Sequence, residues 1–243
     1  DDSGVLEIKQ FPFTKLKIGY DYIIDLPPEI DLLAAPEELD NAQLQVPLKV
    51  MDDYAVTDIS MVMTLDPMIE DPPLGTPIED KRAVMSPPKT ATEIQPLYDL
   101  AWHPWAGLPV ILTFSAEDHK GQIAALPPIK MTLPEREFQH PIAKAIINMR
   151  KRLIWTPNES AEAVGRELEE FLTNPADIHD DPIAFLAIRS AASRLVHDHD
   201  NLESIKTVIA LLWDVALRIE DGNLSLAARD LRDAQRNLEA VLA

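Results

Sequence analysis

The chain has no cysteine, few glycines and few basic residues, and each shortage excludes a class of protein. Without cysteine, its 243 residues form neither a disulfide framework nor a thiolate zinc site. With 22 basic against 41 acidic residues the formal net charge is −19, which makes the chain a poor non-specific ligand for nucleic acid. No run approaches about 18 apolar residues, so no membrane insertion by these residues is predicted.

Motifs of catalysis and cofactor binding are also missing. The 7 glycines are scattered, with no Gly-x-Gly and no Gly-Lys-Ser/Thr, so the common phosphate-binding loops are absent. There is no Gly-x-Ser-x-Gly elbow to present a nucleophilic serine. Carboxylates are numerous, but at this net charge close pairs arise by chance and do not indicate a glycosidase. We therefore expect a protein that is not an enzyme, with no catalytic, cofactor-binding or metal residue assigned.

Proline, by contrast, is abundant, and its distribution divides the sequence. Residues 1–135 contain 17 of the 21 prolines, and residues 136–243 contain 4. The first part also carries a net charge of −14. There, short β-branched runs alternate with proline and aspartate breaks, whereas apolar residues recur at helical spacing in the second part. The patterns predict a multidomain α and β protein, an immunoglobulin-like antiparallel β-sandwich followed by an α-helical bundle.

Three regions follow from this division. Residues 1–26 are interpreted as a terminal β-hairpin or the tail of a preceding domain, residues 27–134 as the sandwich, and residues 135–243 as a bundle of about five helices. Within the sandwich, residues 66–89 include six prolines and predict a long irregular loop. Strands are predicted at 5–11, 15–24, 29–33, 44–51, 56–65, 93–98, 108–117 and 122–133.

Capping residues mark the predicted helices. Each helix start combines a polar N-cap with proline or glutamate in the first turn, and these N-caps are His140, Thr156, Asp181 and Asp200. In the last helix, apolar residues alternate at spacings of four and three, which is typical of a coiled-coil seam. This seam, a candidate surface for a protein partner or for self-association, includes Leu224, Leu231, Leu238 and Leu242.

Two clusters of polar residues are candidate metal sites. Asp52 and Asp53, together with Asp99 and Asp118, offer the carboxylates that Ca²⁺ prefers, although no EF-hand spacing is present. The alternative is that they are ordinary turn and strand-end residues. The second cluster, residues 197–200, reads His-Asp-His-Asp, but histidines two apart face different sides of a helix. A polar helix end explains that cluster as well as a metal does.

Two further segments have a functional and a structural interpretation. Trp102 and Trp105 flank His-Pro and are candidates for a sugar- or peptide-stacking platform, but Trp105 also suits a core anchor. The basic run 150–152 is interpreted as a solvated helix face, since it is shorter than the usual membrane-surface patches.

Four stretches carry a family resemblance: residues 50–56, 103–110, 133–143 and 211–222. In these stretches the chain resembles the domain of unknown function 4175 family, large inner-membrane proteins of Gram-negative bacteria. The resemblance implies a periplasmic location, with anchoring transmembrane helices before this region and a low-complexity tail after it. It implies no activity and no catalytic residue, and it fits two chain ends that look cut from a longer protein.

Two functional hypotheses follow. In the first, the chain is a non-catalytic interaction or scaffold region of a membrane-anchored envelope protein. In the alternative, it is a module that binds cell-wall polymers or assists an enzyme acting on them, which depends on the Trp102 and Trp105 aromatics.

Overall fold

The computed structural model describes residues 3–10, 13–21, 24–84, 86–173 and 181–221. Within these ranges, β-strands are followed by α-helices, and no helix is long and apolar enough to cross a membrane. The strands are β1 Ser3–Gln10, β2 Phe13–Asp21, β3 Glu29–Leu32, β4 Glu37–Leu39, β5 Gln43–Gln45, β6 Leu48–Met51, β7 Val56–Leu65, β8 Ile78–Ala83, β9 Thr92–Ile94, β10 Leu97–Asp99, β11 Pro109–Asp118, β12 Ile123–Ala125 and β13 Ile129–Thr132.

The described strands pair antiparallel, as the sequence predicts. Strands β1 and β2 form a hairpin, and β10-β5-β4 and β3-β6-β9 form three-stranded sheets. The five-stranded sheet has the order β12-β11-β7-β8, with β13 also paired to β11. Alternate residues of β7 and β11 are buried, and they share one core with the β3-β6-β9 sheet. That core includes Leu48, Val50, Met61, Met63, Leu112 and Phe114.

The proline-rich segment 66–89 differs from the predicted irregular loop, because it contains strand β8. This strand pairs with β7 at the edge of the five-stranded sheet. Its sequence, Ile-Glu-Asp-Lys-Arg-Ala, lacks the apolar alternation of a half-buried strand, and charged side chains are typical of exposed edges. Lys81 of β8 pairs with Glu117 at 2.6 Å and with Asp58 at 3.6 Å. Side chains of β8 therefore form ion pairs at positions where a half-buried strand has apolar contacts.

The helices are α1 Pro141–Trp155, α2 Pro157–Phe171, α3 Pro182–His197 and α4 Leu202–Asp221. Helix α1 packs on α4 and α2 packs on α3, around one core that includes Ile146, Leu153, Val164, Leu168, Ile188, Ile205, Val208 and Leu212. The predicted fifth helix, with the seam residues Leu224, Leu231, Leu238 and Leu242, lies outside the described residues. What is confirmed is therefore antiparallel β-structure followed by helices.

Three of the four predicted N-cap positions, His140, Thr156 and Asp181, are confirmed, and Asp200 is wrong. His140 accepts a hydrogen bond from the Ile142 N–H, and Asp181 accepts from the Ile183 and Ala184 N–H groups. Thr156 makes no cap hydrogen bond, because its hydroxyl instead contacts the Arg152 carbonyl and the Ser160 hydroxyl. At α4 the cap is Asn201, whose side chain accepts from the Glu203 and Ser204 N–H groups, rather than Asp200.

Candidate functional site

The turn between β10 and β11 places two tryptophans in opposite environments. Trp105 is buried in the core of the β part, which confirms its interpretation as a core anchor. Trp102 is 47% exposed. The stacking pair suggested by the sequence is therefore not formed at the surface. Gly75 lies against Trp105 with φ +147, and a Cβ on Gly75 would stand 2.3 Å from the indole Nε1.

His103 fastens this turn to the segment 74–76, which we call the strap. Its Nδ1 accepts the Trp105 N–H at 3.1 Å, and its Nε2 lies 3.1 Å from the Thr76 carbonyl oxygen. Since a carbonyl only accepts, Nε2 carries the proton and the ring is neutral. The ring is 2% exposed, and burial lowers the pKa of His103 to about 4; the Thr76 hydrogen bond opposes the shift and the Arg150 charge adds to it.

Arg150 of α1 joins the helices to the turn. Its Nε donates to the Ile209 carbonyl of α4 at 3.0 Å, and its Nη2 donates to the Trp102 carbonyl. The guanidinium lies 5.2 Å from the centre of the Trp213 ring. Burial lowers the pKa of Arg150 to about 10, an effect that the charges of Glu135 and Asp214 oppose, so the group stays cationic at neutral pH.

The basic run 150–152 is therefore only in part the solvated helix face that the sequence indicated, because Arg150 is buried whereas the Lys151 and Arg152 side chains are 45% and 44% exposed. Lys151 pairs with Glu135, and Arg152 pairs with Glu167 at 2.7 Å. The helical spacing of the sequence already indicates a buried position for Arg150, because it falls four residues after the core residue Ile146 and three before Leu153.

The strap also bonds to the helices. The Leu74 N–H donates to the Ile154 carbonyl at 2.8 Å, and the Leu74 side chain packs against the helical core. The next residue of α1, Trp155, is 46% exposed. We call the 102–105 turn, the strap, Arg150 and Ile154 the junction. Both exposed tryptophans, Trp102 and Trp155, adjoin it.

A second feature is the end of the β part opposite the junction, where three connections meet. The β6–β7 turn provides Asp52, Asp118 is the last residue of β11 and is followed by His119, and Asp25 precedes β3. The strand pairing brings these residues together. Glu29 of β3 pairs with Met51 of β6, next to Asp52, and Val56 of β7 pairs with Asp118 of β11. We call Asp25, Asp52, Asp118 and His119 the acidic end.

Hydrogen bonds hold the acidic end in place. Asp118 Oδ1 accepts the Lys120 and Gln122 N–H groups, both at 2.8 Å. The Gln122 amide donates to Asp118 Oδ2 at 3.1 Å and to Asp25 Oδ2 at 2.9 Å. Burial raises the pKa of Asp118, but hydrogen bonds from Gln122 and Lys120 outweigh it, so the net pKa is lowered and the group is ionised.

Ligand atoms of Asp25, Asp118 and His119 lie within 4.8 Å of one another. Of the predicted calcium set Asp52, Asp53, Asp99 and Asp118, only Asp118 belongs to this group. Asp99 pairs with Gln43 and leads into the Trp102 turn, so it lies away from Asp118. Asp25 and His119 were missed, since only the strand register shows that residue 25 meets the 118–122 turn.

The other histidine cluster lies at the end of α3. His197 Nδ1 is 2.9 Å from the Ser193 carbonyl, and His199 Nδ1 is 3.4 Å from the Val196 carbonyl. His199 Nε2 is 3.5 Å from Asp200. The two rings thus face different carbonyls, in agreement with a polar helix end.

A cleft of about 590 Å³ separates the link 135–139 from α1. Its lining carries both signs of charge, with Lys151 paired to Glu135 and Arg136 paired to Asp221 at 2.5 Å. Because these charges neutralise one another, the cleft provides no concentrated charge of one sign for a substrate.

Comparisons with known proteins assign the sequence to a family. No curated protein matches the chain. Among solved structures, the chain is similar to catalytically inactive OgpA from Akkermansia muciniphila in complex with an O-glycopeptide (glycodrosocin) substrate, at 12% identity and a TM-score of 0.32. That match covers 46% of this chain and 30% of the OgpA chain. The family model described as "Domain of unknown function (DUF4175)" matches residues 3–243, so the chain belongs to the DUF4175 family, as the sequence resemblance predicted.

Proposed function

We propose that the chain is a non-catalytic interaction and scaffold region of a membrane-anchored protein of the bacterial envelope. In this proposal it lies on the periplasmic side of the inner membrane, anchored by transmembrane helices outside these residues. The β part is an immunoglobulin-like sandwich and the helical part a bundle. The observation that carries the proposal is the junction, where bonded contacts couple the two parts beside two exposed tryptophans.

The coupling supports a scaffold role. Consecutive domains normally move relative to each other unless their interface holds them. Here Arg150 bonds to carbonyls of both parts, and the Leu74 N–H adds a second crossing bond. A buried guanidinium with two carbonyl partners is costly to detach, because separation leaves polar groups unpaired. The junction therefore fixes the angle at which the helices are presented.

The exposed aromatics support an interaction role. Tryptophan is enriched among residues that dominate binding energy at protein interfaces. Trp102 and Trp155 are about half exposed beside a bonded, preorganised strap. The chain around them has a net charge of −19. The occupant we propose is a protein with an apolar patch bordered by basic residues, since complementary charge steers such encounters.

The structure removes the main support for the alternative function, a module that binds cell-wall polymers. A glycan platform made from Trp102 and Trp105 requires both rings at the surface, and Trp105 is buried. Self-association through the Leu224, Leu231, Leu238 and Leu242 seam stays a prediction.

Affinity capture by the full-length protein tests the proposal. The Trp102→Ala/Trp155→Ala double variant is compared with Ile123→Ala/Ile183→Ala, which removes apolar side chains elsewhere that are still more exposed. We expect one basic protein to be bound by the wild type and the control, released by salt, and lost in the tryptophan variant. Equal capture by all three proteins contradicts the proposed surface. Retention on peptidoglycan that depends on Trp102 contradicts the choice of a protein partner.

A further inference from the structure

The acidic end contains more buried negative charge than its neighbours balance. Asp25, Asp52 and Asp118 are 8%, 4% and 2% exposed. Within the described part of the chain, one ammonium pairs with them, since Lys120 Nζ lies 2.9 Å from Asp25 Oδ2. Burying a carboxylate without a compensating charge is costly. The arrangement therefore favours an additional cation.

Two of these carboxylates also have an oxygen with no hydrogen bond. Among the described residues, Oδ1 of Asp25 and Oδ1 of Asp52 are fully buried and have no hydrogen-bond partner. Such atoms are rare in folded proteins and call for an explanation such as a bound ion. Asp25 is also one of the three residues whose ligand atoms approach each other. The residue that bears one of these unpartnered oxygens, Asp25, is thus itself a member of the cluster.

We propose that Asp25, Asp118 and His119 bind a divalent transition-metal ion of the Zn²⁺ type. Imidazole and carboxylate are both ligands of zinc, whereas Ca²⁺ prefers six to eight oxygens. Ligands around tetrahedral zinc stand about 3.4 Å apart, which follows from bond lengths of roughly 2.0–2.1 Å. The ligand atoms, now within 4.8 Å, need to close by little more than an ångström.

The ion has a definite structural consequence. Asp25 lies between the β1–β2 hairpin and β3, while Asp118 ends β11 and His119 begins the β11–β12 turn. A shared metal fastens the segment ahead of β3 to that turn, where Gln122 and Lys120 already hold it. Because Lys120 bonds to the same carboxylate, its ammonium competes with the metal.

Zinc titration of the 243-residue chain, followed by calorimetry and by competition with a chromophoric chelator, tests the proposal. We expect one Zn²⁺ per chain, bound at least tenfold more tightly than Ca²⁺. His119→Ala and Asp25→Asn each weaken binding about tenfold or more. His197→Ala, a matched exposed histidine at the end of α3, leaves it unchanged. Lys120→Gln strengthens it about threefold, a gain that a merely structural carboxylate cluster does not produce.

Three results overturn the proposal. These are no saturable zinc binding, equal affinity in the His119→Ala and His197→Ala proteins, or tighter binding of Ca²⁺ than of Zn²⁺. Unchanged or weaker binding by Lys120→Gln overturns the placement of the ion against Asp25. Circular dichroism and the unfolding midpoint without metal show whether each variant folds, and the exposed His119 keeps the test valid should Asp25→Asn unfold.

Discussion

Acidification should loosen the junction through His103. The buried ring is neutral, with a pKa lowered to about 4 against an ordinary value of 6.5. Between these values the unfolded chain binds a proton that the folded chain does not. Stability due to the neutral ring is therefore complete above about pH 6.5 and falls as the pH drops toward 4.

The expected loss can be calculated from the two pKa values. The full difference of roughly 2.5 units corresponds to about 3.4 kcal/mol, and about 2 kcal/mol of this is lost between pH 7 and pH 5. The pKa values of Asp66, Asp118 and Asp181 are lowered below 3.8, so these carboxylates remain ionised in that window.

Urea unfolding followed by tryptophan fluorescence measures this loss at pH 7, 6 and 5. The control is His103→Gln, which keeps a donor for the Thr76 carbonyl but does not titrate. We expect the wild type to lose about 2 kcal/mol more than this variant over the range. Identical pH dependence in the two proteins would refute the neutral, buried ring.

Three further substitutions test the local geometry by the same unfolding measurement. Gly75→Ala should lower the free energy of unfolding by about 2–4 kcal/mol, because the new Cβ meets Trp105 and φ is +147. Gly121→Ala is the control: φ is +80 there and Glu117 makes only a distant contact, so the loss should be about 1 kcal/mol. Equal losses in the two variants would contradict the close approach of Gly75 to Trp105. Arg150→Met should cost about 2–4 kcal/mol by leaving two carbonyls unpaired, and a neutral effect would argue against the coupling. Asp181→Ala should cost about 1–2 kcal/mol at pH 7 by removing the α3 cap. Despite burial, which raises it, the pKa of Asp181 is lowered below 3.8 by hydrogen bonds from Arg218 and from the Ala184 and Ile183 N–H groups, so the difference should shrink as the pH falls below 3.8; a difference that stays constant on acidification would be inconsistent with an ionised cap.

Where side-chain period and burial agree, the sequence predicts the structure well. Strand β7 begins and ends at the predicted residues, and β11 is displaced by one residue at each end. Both have apolar residues on alternate positions that face one core. The helix starts at Pro141 and Pro182 follow from proline at the first helical position.

The wrong sequence predictions share one cause. At those positions, contacts with residues distant in the sequence determine the structure. Strand β8 has no apolar alternation because it is a partly exposed edge strand that backbone pairing with β7 holds in place. Arg150 looks like a surface residue until the carbonyls of Trp102 and Ile209 are brought to it. Asp25 meets Asp118 across 93 residues of sequence, and no local pattern encodes that meeting.

Cross-linking in living cells tests the interaction proposal most directly. A photoreactive amino acid replaces Trp102 in the full-length protein, and the same replacement at Ile123, which is exposed away from the junction, is the reference. The account predicts a cross-link to one partner protein from position 102 that is absent from position 123 and is lost when Trp155→Ala is added. Equal cross-linking from both positions, or none from position 102, would contradict it.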